Sequence, residues 1–145
     1  MRLRLLKPSL IFLATRMLTW ALLLPFLKRI RPLPDVVRIM HRRPSGKFFI
    51  NYCQQDVIAV AGRIYRSAQG KCLEKSLLLY RYLLATGNDP KLAVGFRKMD
   101  RQWMGHSWVI VGNCPIDEPA AALKDFSRLL IFNSDGAIEV MKDGI

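Results

Sequence analysis

Residues 91–119, KLAVGFRKMDRQWMGHSWVIVGNCPIDEP, are where the chain changes its period. KLAVGFRK (91–98) and GHSWVIVG (105–112) are short, β-branched and aromatic, and turn residues bound them, which predicts two strands. GNCP, between Val111 and Ile116, is turn chemistry. If Gly112 and Asn113 form a two-residue loop, Val111 pairs with Cys114, Ile110 with Pro115, Val109 with Ile116 and Trp108 with Asp117. Paired residues point the same way, and residues 106 and 108 share a face, so Asp117 is expected as the diagonal neighbour of His106. The same alternation turns Glu118 away and leaves it as the alternative carboxylate; a three-residue loop would send Asp117 to the opposite face.

Downstream, RLLIF and AIEVM flank NSDG and read as a second hairpin. Upstream the spacing is helical. In residues 51–67, Val57, Ile58, Ala61, Ile64 and Tyr65 follow an amphipathic period, with Asn51 as a candidate cap. After a break at AQG, a helix starts at Cys72 and runs to about Thr86, stopped by Gly87 and Asn88. Leucines on every side of it predict a central helix. Helices followed by antiparallel strands define an α+β fold, with N-terminal helices packed on a small antiparallel sheet.

The 145 residues, 51% of them hydrophobic, suit one domain with a true core. It is expected over residues 1–145, with a basic, helical N-terminal part (1–47) and a core (48–145). Residues 1–47 hold 11 Lys/Arg against Asp35 alone, whereas residues 48–145 hold 12 against 10 acids, so the net charge of +12 belongs mostly to the first third. No nucleic-acid-binding signature accompanies it, which ranks nucleic acid last among partners. Cys53, Cys72 and Cys114 are an odd set without a CxxC pair, so neither a disulfide framework nor a zinc site is supported, and free thiols point to the cytoplasm.

Residues 9–27 are almost wholly apolar, but Arg16 near the middle disfavours a membrane span and cuts the apolar core a signal peptide would need. A buried helix is the favoured reading and an interfacial helix, flanked by Lys28, Arg29 and Arg31, the alternative. Pro32 and Pro34 end it, a short helix starts near Asp35, and RPSGK (43–47) reads as a loop.

Cys72 stands behind Gly70 and Lys71 at a helix start, where unpaired N–H groups and the positive helix end favour a negative sulfur. Taken alone, such a cysteine is more often packing; chemistry needs a base and a group to hold that base. His41, in the basic stretch RIMHRRPS, is expected to be solvated or to meet an anion. His106 is the better base. Cys53 and Cys114 carry no expected role, and Trp103 and Trp108 are walls or core. The Cys72 N–H is the one oxyanion donor to name; Gln54, Gln55, Gln69 and either indole stay open as others.

GKCLEKSLLLYRYLLATGNDPKLAVGFRK followed by GHSWVIVGNCPIDEP resembles the B-type maturation proteins of lasso-peptide biosynthesis, leader peptidases of the transglutaminase-like superfamily. The likeness covers residues 70–119, with a weaker echo in the N-terminus. It implies a transglutaminase-like or papain-like core with Cys72 as nucleophile, His106 as base and Asp117 as orienting acid, and no cofactor. It also implies partners: the leader region of a precursor peptide, a separate leader-recognition protein and an ATP-dependent lactam synthetase. Ser107 stands where such proteins usually carry a smaller residue, and no winged-helix-like leader-recognition segment is recognisable. An acyl transferase using the same triad, or a basic membrane-surface adaptor without catalysis, are the competing readings.

Overall fold

The computed structural model describes residues 8–42, 52–67 and 70–141. Four helices, α1 (Pro8–Ile30), α2 (Leu33–His41), α3 (Gln54–Ile64) and α4 (Cys72–Ala85), precede strands β1 (Pro90–Met99), β2 (Gln102–Val111) and β3 (Cys114–Ile116). A short helix α5 (Ala120–Leu123) then leads to β4 (Ser127–Phe132) and β5 (Ile138–Met141). The strands form one antiparallel sheet in the order β3-β2-β1-β4-β5. The mixed helix-and-sheet expectation is met, and both hairpins fall where the turn residues put them.

Local chemistry explains the boundaries. Pro34 stands in the first turn of α2, where its missing N–H costs nothing. At α3 the capping residue is Cys53, in a box in which the Asp56 carboxylate accepts from the Cys53 N–H at 3.3 Å. Asn51, the cap expected from sequence, lies outside the described residues, as do the loop 43–47 and Gln69. α4 stops where Gly87 takes a left-handed φ of 80°.

The core has two parts, one on each face of the sheet. On one face Leu13, Met17 and Leu24 of α1, Met40 of α2 and Val57 of α3 close around Leu77, Leu78, Leu83 and Leu84 of α4, which rests on Leu92, Val109 and Phe132. The opposite face carries a smaller cluster of Ala93, Trp108, Ile110, Phe126, Leu129 and Ile131.

Polar ties fasten the helices. The buried Arg81 Nη1 donates to the carbonyls of Ile39, Met40 and Arg42 at 3.2, 3.2 and 2.7 Å, satisfying the free end of α2, and its guanidinium lies 4.3 Å from the Trp20 ring. Burial pulls the Arg81 guanidinium below its ordinary pKa. α1 is held at both ends: Tyr52 donates its hydroxyl to Ser9 O at 2.8 Å, and Lys28 pairs with the buried Glu74 at 2.8 Å. Yet α1 is only partly a core helix. Ile11, Leu22, Phe26 and Ile30 are exposed on its far side, against the favoured expectation of a buried helix.

Candidate active site

The β2–β3 hairpin decides which side chains meet. Gly112 and Asn113 take φ values of 57° and 64°, the mirror-image turn that a two-residue loop requires. The resulting register pairs Val111 with Cys114, Ile110 with Pro115 and Val109 with Ile116. There the ladder ends. The next residue, Asp117, adopts φ 64°, a conformation aspartate tolerates better than most residues. One left-handed residue cancels the alternation on which the diagonal argument depends.

As a consequence the two carboxylates exchange places. Glu118, expected to point away, accepts a hydrogen bond from His106 Nε2 at 2.7 Å, and Asp117 pairs with Lys75 of α4. Asp117 is therefore not the carboxylate beside His106 in this structure, because the pairing Trp108–Asp117 does not form. With Nε2–H committed to Glu118, Nδ1 is the ring nitrogen free to take a proton.

The imidazole is further fixed by its neighbours. It stacks on Trp108 at 6.0 Å between centroids and leans on Phe126 at 5.5 Å. Gly95 of β1, the cross-strand partner of His106, makes room for that group. A Cβ there would stand 2.8 Å from the Trp108 ring and 2.8 Å from a Leu129 methyl. The Trp108 indole is buried in the cluster on this face and its Nε1 has no hydrogen-bond partner among the described residues, whereas Trp103 is 52% exposed.

Cys72 opens α4 and is half-buried, after a turn in which Gly70 takes φ 76°. Lys71, the N-cap residue, makes no side-chain capping hydrogen bond here. Two contacts bind its first turns to the hairpin: Lys75 to Asp117, and the buried Ser76 hydroxyl to Ser107 O at 2.9 Å. Cys72 lies one turn before Ser76 on the same helix side. Ser107 faces α4, whereas the His106 ring belongs to the opposite face with Trp108. On the outer edge of β2, β3 pairs only with Val109–Val111, and beyond that ladder Lys75 of α4 meets Asp117 while Glu118 meets His106. No hydrogen bond joins Cys72 to His106 among the described residues; such catalytic contacts often tighten only with substrate.

The other sequence candidates are placed elsewhere. His41 is half-buried rather than freely solvated: its Nε2 donates to Ser134 O at 2.7 Å, tying α2 to the β4–β5 loop. Cys53 and Cys114 are exposed, and Gln54 and Gln55 sit in the first turn of α3. Phe126 was not singled out from sequence, and only its aromatic character before a strand could have drawn attention to it.

No curated protein and no solved structure matches the chain. Residues 14–131, which contain Cys72, His106, Asp117 and Glu118, match the family model described as Transglutaminase-like superfamily, and the chain belongs to that superfamily, whose members are usually cysteine-based catalysts.

Proposed function

We propose that this chain is a cysteine endopeptidase that removes the leader from a ribosomally made lasso-peptide precursor in the cytoplasm. The observation that carries the reading is the carboxylate-held histidine, His106 Nε2–H on Glu118, in a superfamily chain with the half-buried Cys72 as the first residue of α4. The resemblance of residues 70–119 to lasso-peptide leader peptidases supplies the substrate class.

In this reading Cys72 Sγ, its proton passed to His106 Nδ1, attacks the carbonyl of the last leader residue. The Cys72 N–H at the helix start steadies the oxyanion. The C–N bond breaks as His106 returns the proton to the departing amine, which frees the core peptide and leaves the leader as a thioester. Water, deprotonated by His106, then adds to the thioester, releasing the leader carboxylate and restoring the thiol. Glu118 holds the ring and balances the imidazolium. A separate leader-recognition protein presents the precursor, and an ATP-dependent lactam synthetase uses the new amine to close the ring.

Intact mass spectrometry of precursor incubated with wild-type and Cys72→Ala protein, with the leader-recognition protein present, tests this. Free leader and core from the wild type alone are expected. Equal cleavage by Cys72→Ala overturns the catalytic role, and a leader carrying an added amine in place of a carboxylate would make the chain an acyl transferase.

A further inference from the structure

α1 is apolar on both faces, and only one of them is used by the fold. Leu13, Met17 and Leu24 are fully buried against α3 and α4. On the other side Ile11, Phe12, Leu18, Leu22, Leu23, Phe26 and Ile30 are between 43% and 72% exposed. A helix hydrophobic all round needs a second apolar environment, and contiguous exposed patches of this kind mark interaction sites.

The polar groups along that outer side are already satisfied. Thr15 and Thr19 turn their hydroxyls back to Ile11 O and Thr15 O at 2.9 and 3.0 Å, which leaves methyl groups outward. Arg16 is engaged by Phe12, its guanidinium 5.8 Å from the ring centroid. Cations gather at the C-terminal end instead: Arg29 and Arg31 are exposed, and with Lys28 and Lys71 they line an open cavity of about 680 Å³ next to Pro25. The stripe Leu22–Phe26–Arg29/Ile30 therefore runs from oil to positive charge along one helix.

We propose that the outer face of α1 docks the protein flat on an anionic lipid bilayer, with the exposed apolar side chains at the acyl boundary and Arg29, Arg31 and Lys71 against lipid phosphates. Charge selects lipid over a neutral apolar partner, since 11 of the 23 Lys/Arg fall in residues 1–47. Length alone would let the 23 residues of α1 span a membrane, but the helix is held to the body at Ser9, Trp20 and Lys28, so it lies in the plane. The proposal does not depend on the peptidase reading.

Co-sedimentation of the full chain with vesicles of phosphatidylcholine, alone or mixed equally with phosphatidylglycerol, is the test. Binding to the mixed vesicles is expected. It should fall more than about tenfold in Leu22→Glu/Phe26→Glu, by loss of buried apolar surface, and about fivefold in either Arg29→Gln or Arg31→Gln. Both apolar positions are exposed, and circular dichroism checks that the variants fold. Cys72→Ala should bind as the wild type does, which separates this outcome from the peptidase test. Failure to bind the mixed vesicles, or equal binding by Leu22→Glu/Phe26→Glu, overturns the proposal. So does a wild-type dimer that the same double variant dissolves while vesicles leave it unbound, since the face would then belong to a second copy of the chain.

Discussion

At Asp117 a single backbone angle decides which acid serves His106. The left-handed φ of 64° ends the β3 ladder and carries Glu118 round to the imidazole, while Asp117 pairs with Lys75. Glu118→Gln is therefore expected to lower kcat/KM by roughly 10²–10⁴-fold, the upper figure belonging to serine triads and the lower reflecting a more nucleophilic thiol. Asp117→Asn removes a partly exposed ion pair worth about 0–1 kcal/mol and should leave turnover within a few-fold of wild type. Steady-state cleavage rates of the two variants decide the matter, and the reverse ranking would return the orienting role to Asp117. Residue type and strand period made the pairing of His106 with a nearby carboxylate legible. They could not separate two adjacent acids, because the alternation rule holds only while the strand continues, and Asp117 is where it stops.

On the scale of elements, the best-read feature was the β2–β3 hairpin, since Gly112-Asn113 suits one turn type and that turn fixes the register. The cap of α3 was harder to read: Cys53 with Asp56 forms a box that a search for Ser, Thr, Asn or Asp at the cap does not find. Equally hidden was Gly95, which reads as an ordinary strand interruption but stands beside His106 under Trp108, Leu129 and Phe126. Gly95→Ala should cost about 1–3 kcal/mol through overpacking and lower Tm by several degrees. Because Trp108 must shift, the His106 stack shifts with it and turnover falls as well. Gly62→Ala in α3 is the matched control: a Cβ there meets nothing within 4 Å, so Tm should hold or rise. Thermal denaturation of both variants checks this, and an unchanged Tm for Gly95→Ala would show that the sheet relaxes freely.

Across the whole molecule, the buried Tyr80 joins the helical layer to the loop between β4 and β5. Tyr80 of α4 donates its hydroxyl to Asn133 O at 2.7 Å. Burial first, then the charges of Asp135 and Asp89, push its pKa from 10.0 to about 12; burial and Glu74 push Tyr65 to about 12 likewise. A folded-state pKa above the unfolded one means that the native state keeps the proton longer. The corresponding stability is complete below pH 10.0 and is lost as pH rises through about 12. Tyr80→Phe should thus cost about 1 kcal/mol near neutrality, and its deficit relative to wild type should shrink above pH 10.0. Tm measured against pH for both proteins tests the sign; a deficit that widens in alkali would contradict it. The α+β class was legible at this scale because the hydrophobic period changes near Pro90. The half-exposure of α1 was not, since an apolar residue facing the core and one facing outward are written with the same letters.

The all-round burial of α4 also has a consequence for the chain as it is made. Its leucines are covered on one side by helices that precede it and on the other by β1 and β2, which follow it. A ribosome that has just released residues 72–85 therefore presents a helix with half its shelter, and the missing half arrives only when residues up to Val111 have cleared the exit tunnel. During that interval Leu77, Leu78 and Leu84 are open to other nascent chains and to chaperones. Pausing translation once residues up to Asp89 have cleared the tunnel would prolong this interval, whereas a pause once Val111 has cleared it would allow the hairpin to close over the helix before synthesis resumes.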